Sequence, residues 1–162
     1  MASRGEFYTA YTPYQAEASQ GTLQAIYEYQ TLMCQLTGMD VANASLYEGG
    51  SAVAEAVLMA MNITDRKGGE VLIAESVHPE YRQTLITYVA NLNVTVKTLP
   101  CPDGFLNPDD VAKAVTDKTV AVVAQSPNFF GHLEEMPEIG AAAKKVASSS
   151  AVSRSIGTIA CR

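Results

Sequence analysis

The sequence lacks a long apolar run, an excess of basic residues and an even set of cysteines. No stretch approaches the roughly 20 apolar residues that span a bilayer, and residues 1–7 lack the apolar segment of a signal peptide. Eleven Lys and Arg stand against seventeen Asp and Glu, a net charge of −6. An acidic chain without a basic stripe is a poor candidate for nucleic acid or an anionic membrane, so we expect neither as a partner.

Several kinds of chemistry are also missing. Cys34, Cys101 and Cys161 form no CxxC pair, and we interpret them as reduced thiols in a cytoplasmic setting. The two histidines have no metal-ligand spacing, so we predict no metal site. No Ser–His–Asp grouping, GxGxxG or P-loop is found. No lysine follows a strand as a buried Schiff-base lysine would, so we assign no catalytic residue.

What is present indicates a folded domain. The chain has 162 residues, of which 48% are apolar and 17% charged. That length suits about one domain, and this composition excludes intrinsic disorder. Apolar spacing predicts a helix from about residue 16 to Thr37, with Gly38 as its stop. A second helix, Val53–Met61, is small and apolar nearly all round, and we expect it to be buried.

Strands and helices then alternate with short links. Apolar strands are predicted at residues 70–74, 94–99 and 119–125. Helices are predicted at residues 80–90, 107–115 and 137–146. This order predicts right-handed crossovers and a parallel sheet, and the fold class is α/β. We expect an N-terminal arm at residues 1–15, a domain at residues 16–146 and a loosely ordered serine-rich tail at residues 147–162.

A glycine turn precedes the apolar helix and is the first candidate site. Gly49, Gly50 and Ser51 place free backbone amides and a hydroxyl at a helix N-terminus, an arrangement that can hold phosphate. The alternative is a tight turn with a serine cap.

Two further candidates follow predicted strands at the carboxyl edge of the sheet, where open parallel sheets bind ligands. His78 could stack on a flat cofactor ring or move a proton, or it could be a surface histidine at a helix start. Asn128 lies in the loop Gln125–Gly131, whose polar and aromatic residues suit a ligand. The alternative is that Phe129 and Phe130 simply pack as apolar residues under a neighbouring element.

The residues also resemble a known family. Phe7–Gln15, Glu17–Gly21, Leu36–Asp40 and Ala42–Leu46 closely resemble the P-protein of the glycine cleavage system, which is glycine dehydrogenase (decarboxylating). Ser76–Arg82, with the loop of Asn128, resembles subunit 1 of the split bacterial enzyme. The resemblance covers roughly residues 5–146, and we expect the tail at residues 147–162 not to belong to the family.

The resemblance implies a partial large domain of the pyridoxal-phosphate-dependent, aspartate-aminotransferase-like fold, a three-layer α/β/α arrangement with a mainly parallel sheet. It implies glycine decarboxylation with aminomethyl transfer to the lipoyl group of H-protein. By the same resemblance Gly49, Gly50 and Ser51 occupy the phosphate turn, His78 stacks on the cofactor, and Asn128 lies near the site.

The family's Schiff-base lysine comes later in the fold and belongs to subunit 2 of the split enzyme. We therefore expect this chain to be inactive alone and not to bind pyridoxal phosphate covalently. The alternative is a non-catalytic assembly or phosphate-ligand-binding module derived from the same fold. A sheet cut short leaves an open edge and uncovered apolar faces, so we also expect self-association into a dimer or larger oligomer.

Overall fold

The computed structural model describes residues 3–9, 12–14, 19–44, 46–63, 68–147 and 158–161. The chain forms two compact units, Met1–Leu46 and Tyr47–Arg162. The predicted divisions at residues 15 and 146 stay predictions.

The first unit contains the helices α1 (Gly5–Tyr8) and α2 (Gln20–Thr37). The predicted stop of α2 is confirmed, because Gly38 is left-handed at φ 70° and its amide donates to the Cys34 carbonyl at 2.8 Å. Glycine adopts this conformation without the steric cost of a side chain. The predicted start near residue 16 lies outside the described residues. No residue of α2 is buried.

The second unit is built on a four-stranded sheet. Its strands are β1 (Gly69–Ala74), β2 (Val94–Leu99), β3 (Thr119–Gln125) and β4 (Thr158–Cys161), in the order β2-β1-β3-β4. All pairings are parallel. The predicted parallel sheet and its first three strands are confirmed.

The strand β4 was not predicted from the sequence. It lies in the tail that was expected to be loosely ordered, and its backbone pairs with β3 from Val122↔Thr158 to Gln125↔Cys161. Four residues are too few to show an apolar periodicity, so backbone pairing forms a strand here that the side-chain pattern does not indicate. The rest of the tail beyond residue 147 lies outside the described residues.

The helices of the second unit are α3 (Gly49–Ile63), α4 (Pro79–Val89), α5 (Pro108–Ala114) and α6 (Met136–Ala147). The start of α5 is set by Asn107, whose Oδ1 accepts from the Asp109 amide at 2.9 Å, as the capping pattern predicts. No helix among the described residues is long and apolar enough to cross a membrane.

The helix α3 corrects one expectation. Val53 and Val57 are fully buried, but Met59 and Ile63 are 60% and 63% exposed. The expected burial is therefore found on one side of α3 and not on the other. An apolar composition does not reveal how many faces of a helix find a partner, and α3 packs with α4, β3 and β4.

Chain order places helices on both faces of the sheet. The β1–α4–β2 crossover runs one way along the sheet, and β2–α5–β3 runs back past β1. Because such crossovers are right-handed, opposite directions put α4 and α5 on opposite faces. Accordingly α3 packs with α4, and α5 with α6. The strand order reverses between β1 and β3, and this reversal is where such folds form a crevice.

The core lies along the two central strands. Val71–Ala74 of β1 and Val120–Ala124 of β3 are at most 1% exposed, as expected for parallel strands covered on both faces. The edge strand β2 has buried or half-buried residues mainly at alternate positions.

Substituting Leu72→Ala in β1 is expected to destabilise the second unit by about 2–5 kcal/mol, because the fully buried side chain leaves a cavity. The control is Leu133→Ala, the same change at a side chain that is 77% exposed, which is expected to cost no more than about 0.5 kcal/mol. Urea unfolding followed by circular dichroism measures both. Equal effects would contradict the assigned core.

Candidate functional site

The loops after β1 and β3 meet at the carboxyl edge of the sheet. The His78 amide donates to Gln125 Oε1 at 3.0 Å. The Phe129 amide donates to the Ser76 carbonyl at 2.9 Å. The structure thus brings His78 and the loop of Asn128 together at the point where the strand order reverses.

A buried carboxylate joins three loops at this edge. Glu134 is 7% exposed, and its Oε1 accepts from Ser76 Oγ at 2.7 Å and from Asn128 Nδ2 at 2.8 Å. Its Oε2 accepts from the Leu106 amide at 2.8 Å. These donors follow β1, β3 and β2 respectively. Sequence reasoning missed Glu134, since one acidic residue after a polar loop has no distinguishing pattern.

Every polar atom of the Asn128 side chain is engaged within the protein. Its Oδ1 accepts from the amides of Phe130 and His132 at 2.9 and 3.1 Å. Its Nδ2 donates to the Gly104 carbonyl at 2.7 Å as well as to Glu134. The assignment of Asn128 to cofactor binding stays a prediction, and the geometry leaves it no unused atom to offer a ligand.

His78 is both a helix cap and part of an aromatic cluster. Its Nδ1 accepts from the Glu80 amide at 3.2 Å, so neutral His78 carries its proton on Nε2. The half-buried imidazole lies 4.9 Å from the Tyr81 ring and 5.0 Å, edge to face, from the Phe129 ring. Phe129 in turn contacts Phe130. We call His78, Tyr81, Phe129 and Phe130 the aromatic wall.

The glycine turn is capped by a side chain that sequence reasoning did not single out. The Glu48 carboxylate accepts from the amides of Gly50 and Ser51, the latter at 2.7 Å. Ser51 Oγ donates to the Glu48 carbonyl at 3.1 Å, and the Ala52 amide donates to the same carbonyl at 3.0 Å. Hydrogen bonds from Ser51, and to a smaller extent from Gly50, hold the pKa of the Glu48 carboxyl below its ordinary value.

The two glycines of the turn allow α4 to approach. A Cβ on Gly49 would lie 2.5 Å from the Tyr81 ring, and one on Gly50 would lie 3.0 Å from Thr84 Oγ1. The first distance is shorter than real Cβ atoms show, and the second is tighter than most Cβ contacts. Because Tyr81 also contacts His78, the turn and the aromatic wall form one continuous set of contacts.

The lysines with described side chains lie elsewhere. Lys97 pairs with buried Glu70 at the amino end of β1, and Lys113 pairs with Asp110 on α5 at 3.0 Å. Lys118 precedes β3, and Lys144 is on α6. None of these four pairs with the loops at the carboxyl edge. In the part of the chain that the structure describes, no group of His, Cys, Asp and Glu could hold a metal ion.

Sequence comparisons point to one family. A family model described as glycine cleavage system P-protein matches residues 1–160. The match extends beyond residue 146, where the resemblance was expected to end. A probable glycine dehydrogenase (decarboxylating) subunit 1 from Desulfitobacterium hafniense is 55% identical over 137 residues, 85% of this chain and 30% of the relative. The protein of that name from Bacillus subtilis is 48% identical over 139 residues, 86% of this chain and 31% of the relative.

Solved structures agree on the fold. An inhibitor-bound crystal structure of glycine decarboxylase (P-protein) of the glycine cleavage system matches with a TM-score of 0.75 and 42% identity, covering 98% of this chain and 33% of that one. A structure of the cystine C-S lyase C-DES matches with a TM-score of 0.60 and 18% identity, covering 80% of this chain and 35% of that one. This match supports the fold alone. The predicted fold class is confirmed: the chain has the α/β fold, with a parallel sheet and helices, of part of the glycine decarboxylase P-protein.

Substituting Glu134→Ala is expected to destabilise the chain by about 2–3 kcal/mol, because it leaves buried donors of Ser76, Asn128 and Leu106 without their acceptor. Hydrogen exchange at the Phe130 and His132 amides should accelerate as the loop loosens. The control is Glu135→Ala at the exposed neighbouring residue, expected within about 0.5 kcal/mol of the original chain. Unchanged exchange in the Glu134 variant would contradict the role assigned to this carboxylate.

Proposed function

Because the chain belongs to the glycine cleavage system P-protein family, we propose that it is a segment of a glycine dehydrogenase (decarboxylating) subunit 1. In the whole protein it would serve glycine decarboxylation with transfer of the aminomethyl group to the lipoyl group of H-protein. The chain spans about 30% of the length of the curated relatives it matches, so it supplies only part of that machinery.

The family's chemistry implies pyridoxal phosphate, whose ring serves as an electron sink when bound. The described residues do not fit it as a complete site. The Gly50 and Ser51 amides that would hold its phosphate already donate to Glu48. Among the lysines whose side chains are described, none lies beside His78. We therefore propose that this chain alone does not hold the coenzyme covalently.

The observation that carries the proposal is the aromatic wall at the reversal of strand order. His78 and Phe129 would form one side of a crevice there, and the Glu134 network would hold that side in place. The remainder of the protein and subunit 2, which by resemblance carries the lysine, would complete the site. Of the five predicted cofactor-binding residues, only His78 is proposed to face the coenzyme; the roles of Gly49, Gly50, Ser51 and Asn128 remain predictions.

Pyridoxal phosphate added to the chain alone is expected to leave no retained absorption band after dialysis and no glycine-dependent CO2 exchange. Mass spectrometry after borohydride reduction should find no single lysine carrying the coenzyme stoichiometrically. Albumin, whose surface lysines react nonspecifically, provides the background level. A stoichiometric adduct on one lysine, together with CO2 exchange, would overturn the proposed dependence on a partner.

A second candidate function, an assembly module, is favoured by the surface of α2. Tyr29, Leu32 and Leu36 follow the i, i+3, i+7 spacing of one helix face and are 51%, 62% and 66% exposed. An exposed apolar face of this kind favours protein association. We propose that it contributes to self-association or to contact with subunit 2, and that the protein acts in the cytoplasm.

Sedimentation velocity at tens of micromolar is expected to show a dimer or larger species, since association buries this face. Substituting Leu32→Lys should shift the distribution toward monomer by placing a charge on the apolar stripe. The control is Gln20→Lys, which adds the same charge at an exposed position on another face of α2 and should leave the distribution unchanged. A clean monomer of the unsubstituted chain would contradict this candidate.

A further inference from the structure

The N-terminal turn of α3 already holds an anion that is part of the chain. The amides of Gly50 and Ser51 both donate to the Glu48 carboxylate, and the Ala52 amide donates to the Glu48 carbonyl. Free amides at a helix start are what make such a turn attractive to phosphate. Here three consecutive amides are engaged by one residue.

A phosphate group would compete with Glu48 for the same donors. It would also bring close to two negative charges to within a few ångströms of a carboxylate whose charged form these hydrogen bonds favour. Like charges at that distance repel. In the structure the carboxylate and a phosphate therefore exclude each other at this turn.

The space around the glycines is filled in the same way. The position of a Cβ on Gly50 is 2.7 Å from Glu48 Oε2, and that of a Cβ on Gly49 is 2.5 Å from the Tyr81 ring. Close approach of a ligand to a glycine backbone needs this space to be open. Here it is taken by side chains of the same chain.

We propose that the Glu48 side chain closes the Gly49–Ser51 turn to phosphate, so that a phosphorylated ligand binds there only when this carboxylate has moved away or been removed. Glu48 thereby determines which ligands the turn accepts. The ligand class excluded is a phosphate monoester or inorganic phosphate.

The pH dependence of the closure follows from the titration of Glu48. Its folded pKa is depressed, so the stabilisation from the cap is complete above the ordinary glutamate pKa of about 4.3 and is lost as the pH falls through the lower folded value. The neighbouring helix α4 brings Tyr81 and Thr84 to the turn and carries Glu80 and Arg82 as its charged residues.

The test is a titration of the chain with inorganic phosphate at neutral pH and constant ionic strength, followed through the amide resonances of Gly50 and Ser51. In the unsubstituted chain these resonances should not move saturably up to tens of millimolar. In Glu48→Ala they should move with an apparent Kd at least tenfold tighter. Glu55→Gln, which removes one charge from an exposed position on the same helix, should behave like the unsubstituted chain.

Two results would overturn the closure: phosphate binding by the unsubstituted chain as tight as by Glu48→Ala, or no saturable shift in either. Glu48→Gln serves if the alanine variant does not fold, because it keeps an oxygen acceptor without the charge, and it too should bind phosphate more tightly.

An acid titration of the unsubstituted chain adds an independent measurement. The Gly50 and Ser51 amides should shift together with Glu48, with a midpoint below about 4.3; amides that ignore this titration would contradict the cap. Phosphate binding is measured without turnover, so either outcome leaves the proposed function standing.

Discussion

Three hydrogen bonds to the buried carboxylate of Glu134 hold together the loops that follow β1, β2 and β3. This carboxylate adds to the direct hydrogen bonds between the loops after β1 and β3, and it ties the loop after β2 to both at the carboxyl edge of the sheet. A buried carboxylate is tolerable only when its oxygens are satisfied, and here the donors are a hydroxyl, a side-chain amide and a backbone amide. The three donors hold the Glu134 carboxylate in place, and the carboxylate in turn holds the three loops together.

The position of the aromatic wall follows from the same arrangement. Asn128, held by Glu134 and by the backbone of its own loop, places Phe129 against the ring of His78. His78 is fixed from the other side by capping α4 and by Gln125 at the end of β3. The rings are therefore held in place by hydrogen bonds of their own and neighbouring loops.

Much of the second unit could be predicted because its signals are local. The apolar runs of β1 and β3, the capping Asn107 and the proline after His78 each determine structure within a few residues. The meeting of His78 with the loop of Asn128 also followed, because parallel strands bring their carboxyl ends to one edge. The tertiary partners could not be predicted. Nothing in the sequence distinguishes Glu134 from exposed acids or marks Glu48 as a helix cap, and β4 is too short to show a pattern. The apolar composition of α3 also hides that Met59 and Ile63 are exposed beside Glu55.

The cap at the start of α3 has a consequence for how the chain folds. A ligand that binds only the native state adds stability in proportion to its supply, whereas a group tethered on the same chain is present at a constant and high effective concentration. The first turn of α3 obtains its acceptors from Glu48, so it needs none from solution. A newly made chain can therefore complete the first turn of this helix without waiting for a ligand from its surroundings.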